Sequence, residues 1–278
     1  MKMNESLLVI FVLLTGSVPF LYRMVRQGSF SWFIKNDDLQ YNESYKRAEK
    51  LRFFQIILGL CYFIMHGSII WEWVNILIFM GLALIIGFAM EIIGSKSGLL
   101  FGGKYEYDIE KFPGPILAGV PLIIPISWAG LTYMGLNFCS LITGIQIGEN
   151  DSQTILLIIM TSLFVTSLDL VLDPLAVNEK RWGWKQPGSY YKVPILNFAG
   201  WFFTVIVILC LYSLFNNEKL VSQDIDSFLK YSPALLFSIL PLIASRPCFE
   251  RGLIVPGIIG LMLSLAFILL LIIKLIYT

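Results

Sequence analysis

Residues 53–90 read FFQIILGLCYFIMHGSIIWEWVNILIFMGLALIIGFAM, and Glu72 is the one charged side chain among them. A helix needs about 17–25 predominantly apolar residues to cross the hydrocarbon core of a bilayer. The windows 53–71 and 73–90 each have that length. Glu72 lies between two tryptophans, which are typical of the membrane–water interface. The stretch therefore predicts two membrane-spanning helices that are joined by a very short turn.

Six further windows also lack Asp, Glu, Lys and Arg. They are 6–22, 112–148, 152–168, 193–217, 231–245 and 252–273. The window 112–148 is longer than one helix needs, and we expect a single helix near 119–141 within it. The window 231–245 is short, and we expect its helix to begin earlier, near Phe228. The prediction is an all-α, polytopic integral membrane bundle of about eight transmembrane helices, which forms a single transmembrane domain over residues 1–278.

The composition excludes several classes of protein. Of the 278 residues, 57 % are hydrophobic and 14 % are charged, against about 45–50 % and about 25 % in soluble domains. A net charge of +1 argues against a nucleic-acid partner and leaves membrane lipid as the surroundings. The single histidine, His66, excludes His-rich metal centres. We expect no metal and no cofactor, and we interpret His66 as a packing residue.

Lysine and arginine are distributed unevenly between the two sides of the predicted bundle. Sixteen of the 20 lie on one side, and this positive side of a membrane protein faces the cytoplasm. We therefore expect a multi-pass protein of the cell membrane with both termini outside. We interpret residues 35–52 as a solvated loop rather than a surface helix. The predicted cytoplasmic loops are 23–52, 94–115, 173–192 and 246–251.

Three carboxyl groups lie at membrane depth. Glu91 ends the third predicted span, and Asp169 and Asp173 end the fifth. Ionisable residues inside a membrane are costly and usually functional. The i, i+4 spacing places Asp169 and Asp173 on one helix face, with Asp169 about one turn deeper. We expect Pro174 to break the helix just after them.

The segments after these acids resemble each other. Each acid is followed by a loop that is rich in glycine, aromatic residues and lysine, and then by Val-Pro. Trp128 follows Pro121 by seven residues, and Trp201 follows Pro194 by the same interval. We interpret helix pairs 3–4 and 5–6 as a weak parallel repeat, with a chance similarity of two hairpins as the alternative. A repeat would bring the acids and both tryptophans together near the cytoplasmic leaflet.

Three stretches resemble one known family. They are EIIGSKSGLLFGGKYEYD (91–108), PGPILAGVPLIIPISW (113–128) and SLDLVLDPLAVNEKRWGWKQPGSYYKVPILNFAGW (167–201). They are similar to the CruF-type carotenoid 1,2-hydratases, a family of carotenoid biosynthesis membrane proteins that includes the bisanhydrobacterioruberin hydratases. The matching motifs cover about the middle 40 % of the chain.

This resemblance implies a hydro-lyase whose substrate is an acyclic carotenoid. Water would add to the C-1/C-2 double bond of the ψ-end group and give a tertiary alcohol, through acid protonation and capture of a carbocation by water. We expect Asp169 to be the acid, and Asp173 or Glu91 to orient the water. The candidate substrate-binding residues are Tyr105, Tyr107, Lys96, Trp128, Tyr190, Asn197 and Trp201.

Two alternatives compete with this interpretation. The first is an intramembrane prenyltransferase of the UbiA type that acts on a lipid or carotenoid. Asp169-x-x-x-Asp173 resembles half of its metal–diphosphate motif, but the other half here is the lone Glu91. The second is a non-enzymatic lipid transporter, which a helix broken at Pro121 and Pro125 would suit. A transporter places its polar groups nearer the midplane of the bilayer, however.

Overall fold

The computed structural model describes residues 3–27, 43–148, 150–216 and 226–277. Lys2, Lys35 and Lys219, which entered the predicted topology, lie outside these ranges. A π-helical turn, Leu13–Ser17, joins the first two helices into one continuous segment. The described helices are α1 (Met3–Val12), α2 (Val18–Gln27), α3 (Glu43–Ile70), α4 (Glu72–Ser97), α5 (Ile123–Thr143), α6 (Asp151–Asn178), α7 (Ile195–Phe215), α8 (Ser227–Glu250) and α9 (Ile254–Ile276).

Seven helical segments among the described residues are long and apolar enough to cross a membrane. They are the joined segment Asn4–Arg26 and the helices α3, α4, α6, α7, α8 and α9. The remaining helix, α5, has 21 residues and no charged side chain, and spans about 31 Å at 1.5 Å per residue. Most of its side chains are buried by the neighbouring helices. The chain is a multi-pass helical membrane protein, as predicted.

Two small antiparallel sheets lie in the loops between helices. Strands β2 (Ile116–Leu117) and β3 (Val120–Pro121) form a hairpin, which delays the start of α5 to Ile123. Strand β1 (Tyr105–Tyr107) pairs with β4 (Trp182–Trp184). This second sheet joins the loop after α4 to the loop after α6, and it therefore links the two units of the predicted repeat.

Helix α6 does not break at Pro174, and that prediction was wrong. The helix continues to Asn178 with Pro174 inside it. A proline in a helix leaves the carbonyl four residues earlier without its donor, and here that carbonyl belongs to Leu170. The Tyr190 hydroxyl donates to Leu170 O at 2.9 Å. This side chain replaces the missing backbone bond, which explains why the helix can continue.

The prediction of a solvated loop over residues 35–52 was also wrong for residues 43–52; residues 28–42 lie outside the described ranges. Helix α3 already begins at Glu43, and Glu49 is buried on it. Arg181 Nη1 lies 2.9 Å from Glu49 Oε2, and Arg181 Nε lies 2.6 Å from Glu179 Oε2. This part of the chain is helical because its charged side chains find buried partners on other elements.

The interior contains a polar contact around His66. Pro233 has no N–H for Leu229 O, and His66 Nε2 bonds to that carbonyl at 3.0 Å. Nε2 must therefore carry the hydrogen, so Nδ1 accepts from the Tyr133 hydroxyl at 2.6 Å. His66 is a fully buried packing residue that connects α3, α5 and α8, in agreement with the interpretation from sequence.

Candidate active site

Glu91 lies near the end of α4 and is 3 % exposed. Three side chains donate hydrogen bonds to its carboxylate. The hydroxyls of Tyr105 and Tyr107 both bond to Oε2, and Trp128 Nε1 bonds to Oε1 at 3.1 Å. All four residues were predicted for the site, and the structure brings them together.

The β1–β4 sheet brings the two tyrosines to this carboxylate. Side chains alternate between the two faces of a strand, so Tyr105 and Tyr107 share one face and Glu106 lies on the other. Glu106 is exposed and pairs with Lys185 at 2.9 Å. Across the sheet, Tyr105 is opposite Trp184 and Tyr107 is opposite Trp182. These indole rings contact the tyrosine rings and limit where they can lie.

The two tyrosine hydroxyls are held in their neutral form. Burial, and then the neighbouring carboxylate of Glu91, raise the pKa of both Tyr105 and Tyr107 well above the ordinary value. Both effects penalise a negative phenolate in an apolar environment next to another negative charge. Each hydroxyl therefore keeps its proton and remains a donor to Glu91.

Asp173 has a different hydrogen-bond environment from Glu91. It is 3 % exposed, and Asn197 Nδ2 donates to its Oδ2. Asn197 lies in the first turn of α7, which begins directly after Pro194. The pair joins the last part of α6 to the first turn of α7, and both of its members were predicted for the site.

Asp169 lies one turn deeper in α6 and is equally buried. Within the described part of the chain, its Oδ2 has no hydrogen-bond partner. Asp173 and Glu91 lie close enough to interact with Asp169 electrostatically. A buried oxygen without a partner is uncommon and calls for an explanation, and a reacting group or a bound water at this position would supply one.

Trp128 and Trp201 lie against each other beside Glu91. Their rings are stacked, and Trp201 also contacts the edge of Phe101. Gly200 permits the close approach of Leu100 and Phe101 to α7, because a Cβ there would lie 2.5 Å from Leu100 O. The predicted approach of the two tryptophans is confirmed.

Lys96 and Tyr190 are not part of the acid cluster. Lys96 is exposed in the last turn of α4, whereas the Glu91 carboxylate is bonded by the two tyrosines and Trp128. Tyr190 donates to Leu170 O and packs on Phe198. The contribution of Trp182 and Trp184 was missed; the matching alternations Tyr-x-Tyr and Trp-x-Trp could have signalled a pair of facing strands.

A shallow groove of about 380 Å³ runs beside the sheet. Tyr107, Trp182 and Lys192 are among the residues that line it. Across the described ranges, the His, Cys, Asp and Glu side chains form no group of three or more that could hold a metal ion. The site thus consists of carboxyl groups, their hydrogen-bond donors and aromatic faces.

Comparison with known families gives a match over residues 52–267 to the family described as "Carotenoid biosynthesis protein". This range includes all three acids, both tyrosines and both tryptophans of the site. The chain belongs to this family.

A relative within this family is the bisanhydrobacterioruberin hydratase of Haloarcula japonica. It is 31 % identical over 137 residues, which cover 48 % of this chain and 44 % of the relative. The alignment therefore spans less than half the length of that protein. No solved structure matches the chain.

Proposed function

We propose that this protein is a carotenoid hydratase. It adds water to the C-1/C-2 double bond of the ψ-end group of an acyclic carotenoid and forms a tertiary alcohol. The observation that carries the proposal is the buried carboxyl of Asp169. Its Oδ2 has no hydrogen-bond partner among the described residues, whereas the carboxyl groups of Glu91 and Asp173 accept hydrogen bonds. Membership of a carotenoid biosynthesis family and the hydratase relative support the choice of substrate and reaction.

Asp169 would supply the proton. Hydrogen bonds to a carboxylate stabilise its charged form. Within the part of the chain that the structure describes, Glu91 accepts three such bonds and Asp173 accepts one, while Asp169 Oδ2 accepts none. Asp169 is therefore the acid best suited to carry a proton and give it to C-2. Protonation at C-2 leaves a tertiary carbocation at C-1.

Asp173 and Asn197 would position the water. Asp173 is one helical turn from Asp169 on the same face of α6, and the Asn197 amide fixes its carboxylate. The water oxygen bonds to C-1, and Asp173 takes the proton that the water releases. Return of this proton to Asp169 completes the cycle, so that the net reaction consumes one alkene and one water.

Trp128 and Trp201 would stabilise the cation. Aromatic faces carry negative electrostatic potential and attract a nearby positive charge. The bond from Trp128 Nε1 to Glu91 holds one ring in place. Glu91 would thus act on the reaction through Trp128 and the tyrosines, and would not contact the reacting carbons itself.

We also propose that the end of the bundle with the acids faces the cytoplasm, with both chain termini outside. The arginines of the buried ion pairs lie at this end, including Arg23 and Arg246, which pair with Glu250 at 2.8 and 3.3 Å. Excess arginine and lysine mark the cytoplasmic side of membrane proteins. Fusion of a reporter to either terminus would test this orientation.

The first test is expression in cells that make an acyclic carotenoid, followed by mass spectrometry of the extracted pigment. We expect the pigment to gain the mass of one water per modified end. Asp169→Asn keeps the size of the side chain but cannot donate the proton, so it should abolish the gain.

Asp151→Asn is the matched control, because it makes the same substitution at the exposed start of the same helix. It should leave the mass gain unchanged. A full mass gain in Asp169→Asn would contradict the assignment of the acid, and a gain of one isoprene unit in the wild type would replace the hydratase with a prenyltransferase.

A further inference from the structure

A second cavity lies at the end of the bundle opposite the acids. Its volume is about 270 Å³. The three helices that carry Glu91, Trp128 and Trp201 also contribute to its lining, through Asn75 on α4, Ser140 on α5 and Tyr212 on α7. The acid cluster and this cavity are therefore at opposite ends of the same three helices.

The separation follows from the positions of these residues along the helices. A helix rises 1.5 Å per residue, so Ser140 lies about 18 Å from Trp128 along α5. By the same rise, Asn75 lies about 24 Å from Glu91 along α4. An acyclic carotenoid is an extended chain of a length comparable to the bilayer. A carotenoid with one end at Asp169 would therefore reach the cavity with its other end.

The lining suits the end of such a chain. Apolar side chains such as Leu136 and Ile147 lie beside amide and hydroxyl groups of Asn137, Ser140 and Asn216, and Lys230 and Lys274 also line the cavity. A mostly apolar cavity with a few placed polar groups is typical of small-molecule sites. The Asn137 amide nitrogen bonds to Tyr133 O at 2.8 Å, which leaves its amide oxygen as an acceptor for a hydroxyl.

We propose that this cavity binds the far end of the carotenoid, and that its polar groups accept an end that already carries a hydroxyl. The inference rests on the proposed function. A chain hydrated at one end would reverse its direction, place the new hydroxyl among Asn137, Ser140 and Asn216, and present its unmodified end to Asp169.

The test compares substrates of two lengths. Ser140→Leu fills part of the cavity, and should raise the KM for a full-length acyclic carotenoid about tenfold. An analogue with the same end group but only two isoprene units cannot reach the cavity, so its kcat/KM should stay at the wild-type value. Ser140→Ala keeps the cavity open but removes one hydroxyl of the lining, so it should lower kcat/KM for a carotenoid that is already hydrated at one end.

Ser213→Leu is the matched control. It makes the same substitution on α7, where the Ser213 hydroxyl donates to Cys210 O and is not part of the lining; we expect no change in KM. An equal loss of kcat/KM with the long and the short substrate in Ser140→Leu would overturn the inference. A wild-type KM for both substrates in this variant would also overturn it.

Failure of the proposed function has a different signature. In that case the wild type would convert neither substrate. The cavity can then be tested by itself, because Trp71 lines it and a bound polyene quenches tryptophan fluorescence. Binding of the full-length carotenoid that is weakened in Ser140→Leu but not in Ser213→Leu would still support the cavity, and equal binding in both would overturn it.

Discussion

Glu91, Asp169 and Asp173 are chemically similar groups in different hydrogen-bond environments. Their presence at membrane depth could be predicted from the sequence, because an acid in an apolar helix is conspicuous. Their environments could not be predicted, since the donors Tyr105, Tyr107 and Trp128 come from other elements. In the sequence, depth alone favours Asp169 as the acid; the lack of a partner at Oδ2 among the described residues adds a physical reason.

Removing one donor from Glu91 should weaken catalysis without destroying it. Tyr107→Phe deletes one of two hydroxyls on Oε2. A hydrogen bond to a charged group is worth about 1.5–3 kcal/mol, and we expect kcat/KM to fall about tenfold or more. Steady-state kinetics of the purified protein would measure this loss.

Tyr191→Phe is the control for this experiment. The Tyr191 ring packs on Tyr190, and removal of its hydroxyl should leave kcat/KM unchanged. Equal kinetics for the wild type and Tyr107→Phe would contradict the role that we give to the tyrosine donors.

Helix α6 continues through Pro174 because of a contact with a distant part of the chain, which the local sequence does not reveal. Pro174 was expected to end the helix, because proline removes a backbone bond. The bond is replaced from a residue 20 positions away along the chain, Tyr190 to Leu170 O. The β1–β4 pairing is another example, since the two strands lie far apart in the chain and only their matching aromatic alternation points to the pairing. Helix positions followed from local hydrophobicity and were easier to predict.

A double-mutant cycle tests the compensation at Pro174. Tyr190→Phe leaves Leu170 O without a donor and should destabilise the protein by about 1 kcal/mol. In Pro174→Ala the backbone N–H of residue 174 can bond to that carbonyl. The cost of Tyr190→Phe should therefore be clearly smaller in this background, as measured by the free energy of unfolding in detergent. Equal costs in both backgrounds would contradict the explanation.

The whole molecule is held together at the acid end by buried ion pairs that the composition did not reveal. Glu179 follows α6 and pairs with Arg181 at 2.6 Å and Arg251 at 2.8 Å. Arg181 also reaches Glu49 on α3. A bundle of apolar helices could be predicted from the lack of charge, but the partners of the few charges depend on how the helices pack.

Stability should depend on pH through Glu179. Burial alone would raise its pKa, but the guanidinium groups of Arg181, Arg52 and Arg251 outweigh this effect and hold the pKa well below its ordinary value. A lowered pKa gives stability that is present above about pH 4.3 and is lost as the pH falls below it. Glu179→Gln should be less stable by about 3–5 kcal/mol at neutral pH.

The difference between Glu179→Gln and the wild type should shrink as the pH falls below 4, because Glu179 then becomes protonated in the unfolded wild type while the folded state keeps its carboxylate charged, which favours unfolding. Unfolding measured between about pH 7 and pH 3 would detect the change. Glu106→Gln is the control, since its ion pair with Lys185 is exposed and contributes little. A constant difference for Glu179→Gln across this range would contradict the account.

The central claim is that the protein protonates an alkene and adds water to the cation. The most direct test incubates purified protein with an acyclic carotenoid in water labelled with oxygen-18 and deuterium, and locates the labels by mass spectrometry. We expect one oxygen-18 at C-1 and one deuterium at C-2 in each hydrated end, and no product with Asp169→Asn. An unlabelled oxygen, or product without deuterium at C-2, would contradict the claim.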